Sequence, residues 1–392
     1  MNRLYINRQI EPQILEAASQ FPVVVITGPR QSGKSTLLHY LFEDHNYLTF
    51  DDPMLRRSCL EDPALFLETL RVPVILDEIQ YVPEILPHIK MAVDKNRHLT
   101  GQYLLTGSQA FPLIKGLTES LAGRAAVFEL YSFNLPEYRE GEKSITDLFN
   151  RIFNGTYPDT LIHKVNRSFF YSSYLQTYLE RDIRQVQNIA DLSLFQHFLE
   201  LLAGRAAKLI NFSEIARDLG VSSTTVKRWI SLLENFRIIY LLRPFYKNLD
   251  KRIIKSPKVY FPDPGILCYL LKYPDPATLI SGPAGGSVLE NFIISEVLKS
   301  KYNLNRGFEI YFYRDSNYNE IDLVLDYGYR QILAEVKLNK NIQTKHVSSL
   351  LKIQHLFANP ALYVISAYER ELSLPGGVNN LPAWEIEKLT SL

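Results

Sequence analysis

The chain of 392 residues is long enough for two to four domains, and its 46% of hydrophobic residues can build a sizeable core. A formal net charge of +1 gives no overall field that would draw the protein to nucleic acid or to a membrane surface. The two cysteines, Cys59 and Cys268, form no CxxC pair, which excludes a cysteine-based zinc site and fits a reducing cytosol. Residues 1–11 lack the apolar core of a signal peptide, and no apolar run is long enough to span a membrane. We therefore expect a soluble cytoplasmic protein.

Short apolar runs alternate with helical stretches between residues 21 and 130. Continuous apolar runs bounded by turns are typical of buried parallel strands. We predict an α/β domain over residues 1–133, with helices on both faces of a parallel sheet. Its predicted strands are Val23–Ile26, Tyr47–Phe50, Val74–Leu76 and Tyr103–Leu105.

A glycine-containing loop follows the first strand and opens a helix predicted over Ser35–Phe42. The loop matches G-x-x-x-x-G-K-[ST], and in this context backbone N–H groups and the helix dipole favour phosphate. We predict that Lys34 reaches the β and γ phosphates of a nucleotide and that the Ser35 hydroxyl ligates Mg²⁺. The alternative is an ordinary surface turn before a helix. The predicted binding residues of the loop are Gly28, Pro29, Arg30, Gln31, Ser32, Gly33, Lys34, Ser35 and Thr36.

Polar residues end two later apolar runs, Val74–Leu76 and Tyr103–Leu105. Asp77 and Glu78 follow Val74–Leu76, and we predict that Asp77 holds Mg²⁺ through water while Glu78 is the general base for the attacking water. Thr106 or Ser108, after the following run, would sense the γ-phosphate. Both the pair Asp77-Glu78 and the segment Thr106-Gly107-Ser108 are also of a kind that occurs in ordinary turns.

Arg124, in Leu121-Ala122-Gly123-Arg124, has two interpretations. It is either a solvated charge or an arginine finger that reaches the nucleotide of a neighbouring subunit, which would require a homo-oligomer.

Residues 134–202 are predicted to form a helical lid or linker, and residues 203–275 a winged helix. Ser213–Ser222 has the pattern of a helix and a glycine turn, Ser223–Glu234 that of a second helix, and the strands predicted over Ile238–Leu242 and Lys258–Phe261 would be the wing. The outward residues of the second helix suit nucleic acid, although such a module also serves in packing or protein contact. These outward residues are Ser222, Ser223, Thr225, Lys227 and Arg228, and basic residues nearby that favour nucleic acid are Arg243, Lys247, Lys251, Arg252, Lys255 and Lys258.

The last predicted domain spans residues 276–392, after a Pro/Gly linker over residues 273–286. A helix over Ser287–Lys301 precedes the predicted strands. Asp322 lies on one strand, and Glu335 and Lys337 alternate onto one face of the next, so the two acids can share a metal ion while Lys337 orients a water. The remaining predicted strands are Glu309–Tyr313, Glu320–Leu325, Gln331–Val336 and Ala361–Ile365.

The combination of these motifs resembles a known family. The phosphate loop, Leu76-Asp77-Glu78-Ile79-Gln80, Leu105-Thr106-Gly107-Ser108 and the Ala-Gly-Arg segment are similar to prokaryotic AAA+-type ATPases with a C-terminal DUF4143 region, as is Tyr178-Leu179-Glu180-Arg181-Asp182. This resemblance implies ATP rather than GTP. Asp322, Glu335 and Lys337 resemble the core of the PD-(D/E)xK nuclease fold, and Glu290 then matches that fold's helical acid.

The leading hypothesis is an ATP hydrolase that couples nucleotide state to a C-terminal half acting on nucleic acid, DNA rather than RNA, with a metal-dependent nuclease site. The alternative is a non-cleaving regulatory ATPase whose C-terminal domain only binds a partner. A bound metal shared by Asp322 and Glu335 would favour the first hypothesis.

Overall fold

The computed structural model describes residues 5–108, 120–177, 191–245, 256–305, 307–342 and 344–391. The chain divides into two compact units. The first holds Met1–Phe133 with Asn235–Arg237 and Tyr302–Leu304, and the second holds the remaining residues. The predicted domain boundaries after residues 202 and 275 both lie within the second unit.

A five-stranded parallel sheet forms the centre of the first unit, in the order β2-β3-β4-β1-β5. The four predicted strands are confirmed to within two residues at each end. β5 was not predicted, because this edge strand is half exposed and lacks the continuous apolar run of a buried strand. The strands are β1 Val23–Thr27, β2 Asn46–Thr49, β3 Val74–Asp77, β4 Tyr103–Gly107 and β5 Ala125–Glu129.

Helices cover both faces of this sheet, as predicted. On one face, Val24, Ile26 and Leu104 pack against the helices Glu11–Gln20 and Lys34–Leu41. On the other, strand residues such as Val25 and Leu105 pack with Phe66 and Ile89 in a second core. The helices on this second side are Pro53–Glu61, Pro63–Thr69 and Ile85–Lys95.

The second unit begins with helices, which confirms the helical prediction for the described part of residues 134–202. The motif Tyr178–Asp182 lies outside the described residues. Aromatic side chains hold these helices together; for example, Tyr157, at the start of one helix, contacts the rings of Phe170 and Tyr174 on the next at centroid distances of 5.5 and 5.1 Å. The helices are Ile145–Asn154, Pro158–Leu161, Arg167–Thr177 and Leu192–Ala203.

The predicted helix-turn-helix is present as Phe212–Leu219 followed by Ser223–Asn235. The Asn211 side chain caps the first helix by accepting the Glu214 N–H, and Gly220 ends it with φ +68°, a conformation that favours glycine. One face of each helix is buried: Ile215, Ala216 and Leu219 on the first, and Val226, Trp229, Ile230 and Leu233 on the second.

An eight-stranded mixed sheet completes the second unit, in the order β12-β13-β11-β10-β9-β8-β6-β7. The two strands predicted as a wing, β6 Tyr240–Pro244 and β7 Lys258–Tyr260, do pair antiparallel. However, β6 also pairs with β8, so the two strands are the edge of the C-terminal sheet and not a separate wing. The other strands are β8 Glu309–Arg314, β9 Glu320–Asp326, β10 Gln331–Lys337, β11 Ala361–Ser366, β12 Leu372–Leu374 and β13 Val378–Pro382.

Further helices pack on this sheet, among them the long buried helix Gly285–Asn303. The predicted linker over residues 273–286 was wrong in part, because it contains the helix Pro276–Ser281. Asp275 caps that helix by accepting the Thr278 N–H, and Pro276 occupies its first turn. The remaining helices are Pro264–Leu270, Thr344–Ile353 and Glu387–Thr390.

Candidate functional site

The phosphate loop leaves the carboxyl end of β1 and enters the helix Lys34–Leu41. Gly28 has φ +143°, and a Cβ added there would lie 2.1 Å from the Leu130 carbonyl oxygen, so only glycine fits. Gly33 caps the helix with φ +94°. The loop backbone and the helix N-terminus therefore lie together in the arrangement that suits phosphate binding.

Lys34 is buried beneath the loop, with 5% of its surface exposed. Its Nζ donates to the carbonyl oxygens of Gly28 at 3.2 Å and Pro29 at 2.9 Å. Burial lowers the pKa of the Lys34 ammonium, and the nearby carboxylates of Glu78 and Asp77 oppose this shift. The chain thus holds a cation at the loop, bonded only weakly through neutral carbonyls.

Asp77 is the centre of a hydroxyl cluster at the carboxyl end of β3. Ser35 Oγ donates to Asp77 Oδ2 at 2.8 Å, Tyr47 OH donates to the same oxygen at 2.6 Å, and Thr106 Oγ1 donates to Oδ1. The structure therefore brings together the two residues predicted to serve Mg²⁺, Ser35 and Asp77. Tyr47 was missed as a site residue, since in the sequence it is only one member of an apolar run.

Glu78 is oriented by a second cluster. Its backbone has φ +56°, an uncommon value for a residue other than glycine. The Glu78 carboxylate accepts hydrogen bonds from Gln80 Nε2 and, at 3.3 Å, from Ser108 Oγ. Gln80 Nε2 also donates to Ser108 Oγ at 3.1 Å, and Gln80 Oε1 accepts the Ser108 N–H at 3.3 Å. The predicted Ser108 thus contacts the predicted base, and Thr106, the other sensor considered, contacts Asp77.

The remaining loop residues differ in exposure and contacts. Arg30 Nη2 donates to Tyr81 OH at 3.3 Å, while Gln31 and Thr36 are exposed. Arg8, which was not predicted as a site residue, supports the loop by donating to the Ser32 carbonyl at 3.0 Å and to the Tyr131 carbonyl at 2.8 Å.

Two observations indicate that the loop suits a nucleoside triphosphate with Mg²⁺. Ser32 Oγ is buried and has no hydrogen-bond partner within the described part of the chain, so a ligand can satisfy it. The Ser35 hydroxyl and the Asp77 carboxylate lie 2.8 Å apart and are hard oxygen ligands of the kind that Mg²⁺ prefers.

Arg124 lies far from its own phosphate loop. It directly precedes β5, whose first residue pairs with Val23 at the amino end of β1, whereas the loop follows the carboxyl end of β1. Its guanidinium donates to both carboxylate oxygens of Asp94, at 2.7 and 3.0 Å. A role as a finger toward its own nucleotide is therefore excluded, and a role toward a neighbouring subunit stays a prediction.

The predicted C-terminal triad does come together. Lys337 Nζ lies 2.6 Å from Glu335 Oε2 and 3.4 Å from Asp322 Oδ2, and the Val336 N–H donates to Asp322 Oδ2 at 2.9 Å. The register of β9 and β10, in which Leu323 faces Ala334, places Asp322 opposite Glu335. Three side chains separated in sequence therefore share one face of the sheet, as the alternation predicted.

A lysine that was not predicted as part of this site lies among the acids. Lys258 Nζ is 3.0 Å from Glu290 Oε1, 2.6 Å from Glu320 Oε1 and 3.7 Å from Asp322 Oδ1, and its side chain is 2% exposed. Tyr260, two residues on, donates to Glu290 Oε1 at 2.7 Å. Lys258 had been counted among the basic residues favouring nucleic acid; that was wrong, because its ammonium is buried by these carboxylates.

The ionisation of this cluster reflects burial and close charges. Burial and the charge of Asp322 raise the pKa of Glu290 to about 7, although Lys258 and Tyr260 oppose the shift. Burial and Asp322 also raise the pKa of Glu335. Burial acts to raise the pKa of Asp322 too, but Lys258 and Lys337 outweigh it and hold that pKa low.

The acids predicted as metal ligands, Glu290, Asp322 and Glu335, do not fit a divalent cation in this arrangement. The Lys258 ammonium contacts both Glu290 and Asp322, and Lys337 contacts Glu335. Among the described residues, no group of three or more His, Cys, Asp or Glu side chains is arranged to hold a metal ion.

The outward face of the helix Ser223–Asn235 remains available for contact. Lys227 and Arg228 are exposed, as is Ser222, and the Ser222 hydroxyl caps the helix by accepting the Thr225 N–H at 3.0 Å. Lys247, Lys251, Arg252 and Lys255 lie outside the described residues. No helix in the described ranges has the length and apolar character needed to cross a membrane.

Three family models match successive parts of the chain. Residues 20–139 match an AAA domain, residues 145–277 match a domain of unknown function, DUF8612, and residues 285–386 match a second, DUF4143. Uncharacterized proteins of Mycobacterium tuberculosis and Mycobacterium bovis are each 29% identical over 343 residues, covering 84% of this chain and 73% of the relative.

Solved structures with partial similarity include a Walker-type ATPase of Pyrococcus abyssi. It is 15% identical with a TM-score of 0.43 and covers 68% of this chain and 96% of its own. The RuvB Holliday junction branch migration motor of Thermotoga maritima is 17% identical with a TM-score of 0.32, covering 61% and 90%. The AAA domain match covers residues 20–139, which include the phosphate loop, Asp77 and Glu78.

Proposed function

We propose that the chain binds ATP with Mg²⁺ and hydrolyses it at the carboxyl edge of the first sheet. The single observation that carries this proposal is the convergence of Ser35, Thr106 and Tyr47 on Asp77, with Glu78 held beside it and Lys34 beneath the loop. A phosphate turn without catalysis has no need of a second carboxylate fixed by Gln80 and Ser108.

Each side chain has a role that follows from its position. Lys34 exchanges its two carbonyl acceptors for phosphate oxygens, which carry full charge and bind an ammonium more strongly. Ser35 and Asp77 would hold Mg²⁺, which would supply positive charge to neutralise the phosphates. Glu78 accepts a proton from the attacking water, and Gln80 and Ser108 fix the direction of its carboxylate.

Phosphate release from ATP and from GTP in the presence of Mg²⁺ tests the proposal. We expect turnover of ATP, loss of turnover in Asp77→Asn, and normal turnover in the matched control Asp94→Asn, whose acid pairs with Arg124 at the opposite edge. Equal turnover by wild type and Asp77→Asn would contradict the site.

For the second unit, the non-cleaving role is the better supported of the two hypotheses, because Lys258 lies where the predicted metal ligands meet. We propose that this unit binds a partner, and the exposed Lys227 and Arg228 favour DNA or, less strongly, RNA. The proposal includes a homo-oligomer only because Arg124 would need a neighbouring subunit to act as an arginine finger.

Two assays separate these roles. Incubation of plasmid DNA with Mg²⁺ or Mn²⁺ is expected to give no cleavage by the purified chain. Fluorescence anisotropy with duplex DNA is expected to show binding that Lys227→Ala with Arg228→Ala weakens and that added salt weakens further. Cleavage that Asp322→Asn abolishes would instead establish the nuclease.

A further inference from the structure

We infer that the carboxylate cluster of the second unit is built around the ammonium of Lys258, which occupies the place of a divalent cation, so the cluster accepts a metal ion only when Lys258 is removed. This inference concerns the second unit alone. It holds or fails independently of ATP hydrolysis in the first.

The position of Lys258 is fixed by the fold. It lies on β7, where Lys258 and Tyr260 alternate onto one face of the strand and both contact Glu290 of the helix Gly285–Asn303. The ammonium also lies 5.4 Å from the centre of the Phe312 ring. The Lys258 side chain is 2% exposed.

The charges of the cluster require an internal cation. Glu290 and Asp322 are largely buried and each has a carboxylate oxygen within 3.7 Å of Lys258 Nζ, and a buried carboxylate without a cation is unstable. Glu320 is 28% exposed; it lies 2.6 Å from the same ammonium and also pairs with Arg314 at 3.1 Å. The Lys258 ammonium is therefore the internal counter-ion of these carboxylates.

A metal ion and this ammonium cannot share the space. Divalent cations sit about 2.0–2.6 Å from their oxygen ligands, and those oxygens are the ones that Lys258 already contacts. Lys337 differs in kind: its side chain is 31% exposed and it contacts the cluster from the edge, at Glu335 and Asp322. The two lysines thus form a matched pair for experiment, one central and one peripheral.

The experiment measures Mn²⁺ binding by calorimetry and the Tm of the second unit's unfolding transition, in the full chain without nucleotide. All proteins carry Asp77→Asn, which removes the cation ligand of the phosphate site. We expect no saturable Mn²⁺ binding by this parent protein. Lys258→Met is expected to lower Tm by roughly 5 °C or more, to bind one Mn²⁺, and to recover its Tm when Mn²⁺ is added. Lys337→Met, the control, is expected to gain no Mn²⁺ site.

Three results would overturn the inference. The first is saturable Mn²⁺ binding by the parent that Asp322→Asn abolishes. The second is a Lys258→Met protein with unchanged Tm and no Mn²⁺ binding. If Lys258→Met does not fold, Glu290→Gln and Glu320→Gln are added to it. Recovery of folding would support the counter-ion role, and failure to recover, the third result, would show that Lys258 acts by packing instead.

Discussion

Removal of the Lys34 ammonium tests the phosphate loop at its most buried point. In Lys34→Ala, a phosphate oxygen loses a unit charge at contact distance. At about 4 Å and an effective dielectric constant near 20, that interaction is worth roughly 4 kcal/mol, or about 10³ in the dissociation constant. In wild type, part of this gain is offset because Nζ must leave the carbonyls of Gly28 and Pro29. We therefore expect the Kd for ATP to rise by about 10²- to 10³-fold.

The assay is isothermal titration of Mg²⁺-ATP, with thermal unfolding of the same samples. Thermal unfolding establishes that the variant is folded before its Kd is compared with that of wild type. Lys95→Ala, an exposed lysine at the end of the helix Ile85–Lys95, is the matched control and should bind ATP normally. A Lys34→Ala protein that is fully folded and binds ATP with the wild-type Kd would refute the reasoning.

Substitutions at two further residues test two other roles. Those at Gln80 test whether it positions the Glu78 carboxylate, and the one at Arg124 tests whether hydrolysis uses a residue of a neighbouring subunit. Gln80→Ala should lower kcat by up to about 100-fold with little change in the Kd for ATP, because Glu78 loses its orientation. Gln80→Glu, whose carboxylate cannot donate a hydrogen bond to Glu78, should not restore kcat. An unchanged kcat would show that Gln80 only fills space. Arg124→Ala should leave hydrolysis by a monomer unchanged, because Asp94 holds the guanidinium at the opposite edge of the sheet. Turnover measured against protein concentration, beside light scattering, checks this; a loss of about 10³-fold or more that accompanies self-association would establish a finger in trans.

The first unit could be predicted well because its strands are buried on both faces. Continuous apolar runs such as Val23–Ile26 and Val74–Leu76 are typical of buried parallel strands. The carboxyl ends of parallel strands meet at one edge of the sheet, which brings Lys34, Asp77 and Ser108 together. The role of Gln80 was not predicted because it depends on a turn after β3 that brings the Gln80 amide into contact with Glu78 and Ser108. The spacing of residues in the sequence does not specify that contact.

The second unit was predicted less completely, for a different reason. Alternation along β9 and β10 placed Asp322, Glu335 and Lys337 together correctly. The contribution of Lys258 depends on β6 and β7 joining the sheet beside β8, a long-range pairing that local pattern does not specify. One lysine, read from the sequence as a surface charge, therefore changed the interpretation of the whole acidic cluster.

Single-turnover and steady-state phosphate release by Glu78→Gln, with ATP affinity measured on the same protein, tests the central claim most directly. Glutamine keeps the shape of Glu78 and can bond to Ser108, but it cannot accept a proton from water. We expect an ATP affinity equal to that of wild type and a hydrolysis rate lower by about 10²- to 10⁴-fold. Hydrolysis by Glu78→Gln at the wild-type rate would contradict the assignment of Glu78 as the base and, with it, the proposed mechanism.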